Sequence, residues 1–418
     1  MNGLFLEYKD SAVKDVVIEM PPSKSVAARA AILSRIFDGA VILTHTPDCD
    51  DYRNLSAALD KFSENGFDSC AEYDLGDGAA PLRFFLAYVA SQPDSCCIVT
   101  CSPQLRKRPL APLIDVLRKA GAEIVCTEKE GFPPLKVKGA NLSWAGGDIG
   151  AELSSQFASA LLMASLIWER PFELPQNLEI VSRPYLEMTR KMIGDFEGIA
   201  EFDHELYPVL YSIEGDWSGA GYFYEFVLLN PDYTLTLENL LPTGRSVQGD
   251  VKCVEIFSRI GVYTEFIDDS SVRIKADKEL IENLAASGKS VNLDMGDTPD
   301  LVPAFVAGLC MAGINFKITG IGHLKYKESD RLTALAEELA KAGFELTVDD
   351  ESLAWNGKRL DIKIPVCFDS HDDHRIAMAM SVLASRIGPV FVRNAACVSK
   401  SFPDFFDVIS YLGFAYRP

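Results

Sequence analysis

The strongest constraint on the fold is a joint that recurs along the chain: a helical segment stops at a glycine and an alternating, strand-like segment begins at once. It reads LRKAGAEIVC at Gly121, DFEGIAEF at Gly198, SRIGVYTEF at Gly261 and AKAGFELTV at Gly343, with weaker copies SENGFDS at Gly66 and SYLGFAYRP at Gly413. Glycine ends helices because, lacking a Cβ, it takes the left-handed backbone conformation that redirects the chain. The six joints lie on average about 70 residues apart. Three of them continue with a turn and a second strand: EIVCTEKEGFPPLKVKG, YTEFIDDSSVRIKA and ELTVDDESLAWNG. The unit therefore reads helix, strand, turn, strand. One such joint occurs in any α/β protein. Six at near-regular spacing predict a repeated architecture in the mixed α/β class.

At 418 residues the chain exceeds one core of ordinary size, so two domains are expected, although no Pro/Gly/Ser-rich linker or low-complexity segment separates them. The longest nearly apolar stretches, Ala158–Trp168 and Val302–Ile314, fall short of the roughly 20 residues needed to cross a bilayer. The opening MNGLFLEYKDSAVKD has neither the basic region nor the apolar run of an export signal. A cytoplasmic protein without a membrane partner is expected. In that compartment ten cysteines with no Cys-x-x-Cys pair and no zinc-type Cys/His spacing are expected to be reduced thiols, with no metal site.

Sixty acidic residues against forty basic ones leave a net charge of −20, which argues against a nucleic-acid partner. Small anions can still bind if the few cations are gathered. Several stand where helix electrostatics disfavours them. A helix N-terminus carries partial positive charge and unpaired N–H groups, so a cation there costs ~0.3–1 kcal/mol. Yet PPSKSVAARAAILSRIF, predicted as a helix capped by Ser23, has Lys24 in its first turn, and GAAPLRFFLAYVAS has Arg83 near its start. KESDRLTALAEELAKAG places Arg331 just ahead of Leu332, and DDHRIAMAMSVLAS opens with His374 and Arg375. Any one of these reads as a solvated surface cation. Four in an acidic chain point to anions at helix starts, where N–H groups and a cation act together. Ser25 and the Ser154-Ser155-Gln156 triplet ahead of FASALLMASLIW add hydroxyls that serve as caps, as ligands or as both. No Gly-x-x-x-x-Gly-Lys-Ser/Thr loop and no strand-following Gly-x-Gly-x-x-Gly is present, so nucleotide and dinucleotide sites are unsupported.

In chain order, the segments PPSKSVAARA, DDYRNL, LRKRPLAPLIDVLRKAGAEI with FPPLKVKG, ELSSQFASALLM, VSRPYLEMT, IEGDWSGAGYF, GDTPDL, YKESDRL, DDHRIAMAM and VSKSFPDFF resemble the EPSP synthase family. EPSP synthase is 5-enolpyruvylshikimate-3-phosphate synthase, or 3-phosphoshikimate 1-carboxyvinyltransferase. Each piece is short; ten in the family's order and spacing are specific. The resemblance implies an α/β (in some schemes α+β) two-lobed enolpyruvyl transferase fold of six βαβαββ repeats, three per lobe, an inside-out α/β barrel. Its crossovers fall at Pro21–Ser23 and Glu214–Asp216. Residues 22–214 would form a central lobe on the shikimate-3-phosphate side. Residues 1–21 plus 215–418 would form a second lobe carrying Asp300, Glu328 and Lys400, with substrates in the cleft between.

The family reaction moves the enolpyruvyl group of phosphoenolpyruvate onto the 5-hydroxyl of shikimate-3-phosphate and releases phosphate, on the shikimate pathway to chorismate and aromatic amino acids. The resemblance implies no cofactor, a monomer, and two small anions as the partners. It places Lys24, Arg83, Arg108, Gln156, Arg331, His374, Arg375 and Lys400 at phosphoenolpyruvate. Lys24, Ser25, Arg29, Ser154, Ser155, Gln156, Ser182, Tyr185, Asp300 and Lys327 fall to shikimate-3-phosphate. Arginine forks suit carboxylate and phosphate, while lysine acts as a point charge. Catalysis is implied for Asp300 as base, for Glu328 and Lys400 as acid candidates, and for Lys24. The residues alone leave plainer readings open. Asp300 suits the first turn of a helix after Pro299, Glu328 an ion pair, Lys400 a solvated lysine and His374 a helix cap.

One stretch departs from the family. Where Leu-Gly-Asn-Ala-Gly-Thr is usual, this chain has Leu75-Gly76-Asp77-Gly78-Ala79-Ala80 ahead of Arg83. Asp77 is neutral in effect if it points at Arg83 or a backbone N–H, and otherwise weakens phosphoenolpyruvate binding or alters the substrate. Ala79 adds a methyl where glycine leaves space, which by family analogy implies an active enzyme that resists glyphosate. Ala28, Gln104 and His323 are smaller departures. Two rival functions stand beside this one. Enolpyruvyl transfer to UDP-N-acetylglucosamine goes with a loop cysteine five residues before an Arg-Pro pair, but Pro103 holds that place before Arg108-Pro109. A non-catalytic anion-binding relative would have no use for acid and base together.

Overall fold

The computed structural model describes residues 3–37, 40–65, 70–147, 149, 154–175, 180–201 and 208–418. The chain divides into a central unit, Pro22–Ile213, and a second unit that joins the residues up to Pro21 with Glu214–Pro418. The opening strands β1 (Gly3–Tyr8) and β2 (Asp15–Glu19) belong to the second unit.

The central unit runs α1 (Lys24–Ile36), β3 (Val41–Thr44), α2 (Asp50–Asn65), β4 (Ala71–Asp74), α3 (Ala79–Ala90), β5 (Cys96–Thr100), α4 (Ala111–Ala120), β6 (Glu123–Cys126), β7 (Leu135–Lys138), α5 (Ser155–Ala164), α6 (Arg183–Ala200) and β8 (Val209–Ser212). Its four-stranded sheet has the order β4-β5-β7-β6, with β4 and β5 parallel and the remaining pairs antiparallel. In chain order that is one complete βαβαββ unit. β3 pairs in parallel with β8, and Ser143 forms a single parallel bridge with Arg170. α3, with the sequence AAPLRFFLAYVA, is apolar on nearly every side apart from Arg83 and is buried along almost its whole length.

The second unit continues with α7 (Trp217–Leu229), β9 (Thr234–Glu238), α8 (Cys253–Ser258), β10 (Val262–Phe266), β11 (Ser271–Ala276), α9 (Lys278–Ser287), β12 (Val291–Asp294), α10 (Val302–Ala312), β13 (Phe316–Thr319), α11 (Arg331–Lys341), β14 (Thr347–Val348), β15 (Leu353–Trp355), β16 (Val366–Asp369), α12 (His374–Val382), α13 (Ala384–Ile387), β17 (Val390–Arg393), α14 (Phe405–Ser410) and β18 (Phe414–Arg417). Three sheets repeat the pattern of the central unit: β2-β9-β11-β10, β12-β13-β15-β14 and β16-β17-β1-β18. In each the first pair is parallel and the other two are antiparallel. One continuous core joins their inner residues to α7, α10 and α12, which are apolar and buried along almost their whole length. The sheets stay separate and open; they do not close into a continuous barrel. Among the described residues no helix is long and apolar enough to cross a membrane.

The glycine joints behave unequally. Gly121, Gly261, Gly343 and Gly413 all have positive φ and end their helical segments. Gly198 does not: α6 runs through it to Ala200, and Gly66 lies outside the described residues. A helix tolerates an internal glycine at about 1 kcal/mol when the residues after it keep helical bonds, as Glu201 does to Glu197. The expectation of ten reduced thiols also fails at one pair. Cys70, just ahead of β4, and Cys96, the first residue of the parallel strand β5, have Cα atoms 4.7 Å apart, and the two are joined in a disulfide.

Candidate functional site

In the second unit, three helix starts and the end of one 3-10 turn supply one cluster. The loop ahead of α10 brings Asp300, the turn ahead of α11 brings Lys327, Glu328 and Arg331, and α12 opens with His374 and Arg375 behind its N-cap Asp373. Lys400 closes the 3-10 turn Ala395–Lys400. Arg331, only 1% exposed, is the hub. Its Nη1 donates to Asp300 Oδ1 (2.8 Å), its Nη2 to Glu328 Oε2 (2.8 Å) and its Nε to Asp373 Oδ2 (2.7 Å). Arg375 Nη2 donates to the other Asp300 oxygen at 3.0 Å, and Lys400 Nζ lies 3.3 Å from Glu328 Oε1. An arginine fork can serve three carboxylates at once because its N–H groups diverge in one plane.

The charges explain how so many ionised groups share a buried place. Burial alone would raise the Asp300 carboxyl, but the guanidiniums of Arg375 and Arg331 overturn that and hold it well below the usual carboxylate range. Burial likewise opposes the charge on Arg331, and the carboxylates of Asp373, Glu328 and Asp300 more than restore it. Two neighbours shift the other way. Asp250, a buried residue that accepts a hydrogen bond from Ser218, is pushed up to about 6 by burial and then by Asp300. His323 is pushed down to about 4 by burial and then by Lys327, so its ring stays neutral beside the cluster. Each Asp300 oxygen faces a guanidinium.

The central unit holds a second set. Lys24, in the first turn of α1, pairs with the buried Asp51 at 2.9 Å. Arg83, in α3, donates to Gln156 Oε1, and its guanidinium lies over the Phe157 ring. Ser154 caps α5 by accepting from Phe157 N–H at 3.3 Å, and Ser155 and Ser182 are buried at the starts of α5 and α6. Arg108 is half-buried just after the 3-10 turn Leu105–Lys107.

The sequence model of the family described as EPSP synthase (3-phosphoshikimate 1-carboxyvinyltransferase) matches residues 8–409. The chain belongs to the EPSP synthase family. Among its relatives, the 3-phosphoshikimate 1-carboxyvinyltransferase of Bacteroides fragilis (strain YCH46) is 32% identical over 410 residues, covering 96% of each chain. The protein of that name from Methanosphaera stadtmanae is 31% identical over 426 residues, covering 94% of this chain and 96% of its own. A solved EPSP synthase from Acinetobacter baumannii matches with a TM-score of 0.67 at 20% identity, covering 100% of both chains. The enolpyruvyl transferase NikO of Streptomyces tendae matches at 0.65 and 15% identity, covering 100% of this chain and 99% of that one. At these identities the two structures show the enolpyruvyl transferase fold.

Among the residues singled out for an EPSP synthase site, Asp300, Glu328, Arg331, Arg375 and Lys400 form one chain of ion pairs. His374 is buried beside Asp373, and the charge of Lys327 acts on Asp300. Arg29 differs from expectation. It is 2% exposed, and its donors go to Thr189 Oγ1 (2.7 Å), the carbonyls of Ser25 (2.8 Å) and Tyr185 (3.1 Å), and Ser159 Oγ (3.4 Å). These bonds tie α1, α5 and α6 together beneath Ser25 and Tyr185. Ser23 takes the N-cap place of α1 with extended backbone, yet its hydroxyl makes no capping bond. Asp77 turns neither to Arg83 nor to a backbone N–H; it is exposed and accepts from Ser102 Oγ. Two site-forming residues escaped notice in the sequence, Asp51 and Asp373. The second carried a visible sign, an aspartate in the N-cap place ahead of His374.

Proposed function

We propose that this chain catalyses transfer of the enolpyruvyl group of phosphoenolpyruvate to the 5-hydroxyl of shikimate-3-phosphate, releasing phosphate. The observation that carries the reading is the Asp300 carboxylate held between Arg331 and Arg375, with Glu328 and Lys400 paired beside it. A module that only bound anions would need the cations but not this acid and base set. Membership of the EPSP synthase family supplies the substrates.

In the addition step a proton goes from Lys400 or Glu328 to the methylene carbon of phosphoenolpyruvate. The 5-hydroxyl oxygen bonds to its central carbon, and the hydroxyl proton passes to Asp300. In the elimination step the carbon–oxygen bond to phosphate breaks and the new methyl gives a proton back to the protein. Asp300 is a weak base while two guanidiniums grip it. The phosphate and carboxylate of arriving substrate compete for Arg331 and Arg375, loosen that grip and raise its basicity. Lys24, Arg83, Arg108, Gln156, His374 and Lys400 are proposed as further contacts for phosphoenolpyruvate. Lys24, Ser25, Ser154, Ser155, Gln156, Ser182, Tyr185, Asp300 and Lys327 are proposed for shikimate-3-phosphate, with Arg29 positioning Ser25 and Tyr185 from below. The central unit then serves chiefly shikimate-3-phosphate, and the second unit the proton transfers. A cytoplasmic monomer is part of the proposal. Mixing the protein with both substrates should release phosphate, and omitting shikimate-3-phosphate should prevent it. Tight binding of both substrates without phosphate release would refute the proposal.

A further inference from the structure

The last turn of α11 carries a second cluster, apart from the residues assigned to the reaction. Glu338 has no exposed surface, yet it keeps an ionisable carboxyl there. Its Oε2 accepts from the backbone N–H of Asp369 (2.8 Å), and both its oxygens accept from Lys341 Nζ (2.7 and 2.6 Å). His371 Nε2 stands 2.7 Å from Glu338 Oε1, and Oε2 of the exposed Glu337 lies 3.9 Å from the same ring nitrogen. One ligand atom from each of Glu337, Glu338 and His371 falls within 4.8 Å of the others. The His371 backbone is itself fixed, its N–H donating to Asp369 Oδ1 at 2.8 Å.

We propose that Glu337, Glu338 and His371 bind a single first-row transition-metal ion of the zinc class. One imidazole and two carboxylates make a three-ligand set of the kind zinc accepts, leaving a further position for water. Magnesium and calcium prefer more ligands, all of them oxygen, so the imidazole selects against them. The plainer account is a buried carboxylate neutralised by its neighbours. It explains Lys341 and leaves Glu337 without purpose, since a second carboxylate beside the His371–Glu338 pair adds only like charge. Of the three groups that now satisfy Glu338, Lys341 and His371 can give way. Lys341 is half-exposed on a flexible stem and can swing to water. The hydrogen His371 Nε2 shares with Glu338 can move to Nδ1 in the neutral ring, or leave for solvent from the protonated ring. The ion replaces the ammonium and that hydrogen, and Glu337 closes from 3.9 Å to complete the set.

The position gives such binding a consequence. Glu337 and Glu338 lie on the helix that Arg331 begins, and His371 lies two residues before Asp373, the partner of Arg331. A bound ion would clip the end of α11 to the β16–α12 connection and steady the Arg331–Asp373 contact.

The test uses the untagged full chain, stripped with a chelator and titrated with zinc chloride by calorimetry and against a chromogenic chelator. One ion should bind in the micromolar range and raise the melting temperature, and millimolar magnesium should do neither. His371→Ala and Glu337→Gln should each weaken zinc binding by about tenfold or more, as loss of a contributor to a metal site does. Phosphate release without zinc should stay within about twofold of the parent, because neither residue takes part in the proton transfers. Cys367→Ser, which removes the exposed thiol on β16, should leave zinc binding unchanged. Failure of zinc to bind overturns the proposal. So does binding that survives both the His371 and Glu337 changes, or that disappears only with Cys367. Glu337 is exposed, so the second variant reports on the ion even if the first fails to fold.

Discussion

Arg331 Nε donates to Asp373 Oδ2 at 2.7 Å, while Asp373 Oδ1 accepts the backbone N–H of Arg375 at 2.9 Å. One fully buried carboxylate thus fixes the guanidinium that opens α11 and the first turn of α12. The same aspartate accepts from Ser329 Oγ at 3.1 Å.

Removing it should be costly. Asp373→Ala leaves Arg331 short of its nearest carboxylate and α12 without its cap, and should lower stability by about 3–5 kcal/mol, the usual cost of breaking a buried pair. Urea unfolding measures this, and an unchanged midpoint would show that Asp373 bears no such load.

Arg29 should act through position rather than charge. Arg29→Lys keeps a cation but loses the fork that reaches Thr189, Ser25, Tyr185 and Ser159. Stability should fall by about 2 kcal/mol or more, since the lost bonds leave buried acceptors unpaired. The KM for shikimate-3-phosphate should rise together with that loss. A variant of unchanged stability with weakened substrate binding would instead make Arg29 a direct contact.

Glu225 provides a test of pH dependence. It lies wholly buried in α7, and neither carboxylate oxygen has a hydrogen-bond partner among the described residues. Burial raises its carboxyl well above the ordinary value. A group raised in the folded state adds stability that is complete below its unfolded pKa and is lost as pH rises towards the folded one. The parent should therefore lose up to about 1.4 kcal/mol per pH unit from this residue above the ordinary carboxyl value. Glu225→Gln should flatten that slope above the ordinary carboxyl range in denaturant midpoints. Equal slopes in parent and variant would contradict it.

Ala79 opens α3 and is buried, four residues ahead of Arg83. We propose, by analogy with the family, that its methyl narrows the phosphoenolpyruvate site. Ala79→Gly should strengthen glyphosate inhibition by about tenfold or more, equivalent to ~1.4 kcal/mol, while turnover persists. Strong inhibition of the parent itself would contradict the analogy.

Much of this was legible from local pattern. Gly121, Gly261, Gly343 and Gly413 mark real ends because a positive φ is written into the residue type. Gly198 misled because glycine permits a stop without compelling one, and the residues after it keep helical bonds. Of the misplaced cations, Arg331 and Arg375 share Asp300, which no spacing in the sequence discloses across 31 and 75 residues, while Lys24 and Arg83 find their partners Asp51 and Gln156 within the central unit. Arg29 was assigned to shikimate-3-phosphate through the family resemblance; its bond to Thr189, 160 positions away, is not legible in the sequence, because a guanidinium faces inward or outward according to what packs beneath it. The Cys70–Cys96 pair was missed for the same reason: strand register, not sequence spacing, makes them neighbours.

Asp300→Asn removes the proposed base that substrate releases from two guanidiniums. With both substrates present, phosphate release should fall by about 10²–10⁴-fold, the usual worth of a general base, while shikimate-3-phosphate still binds. An asparagine variant that turns over at close to the parent's rate would contradict the account.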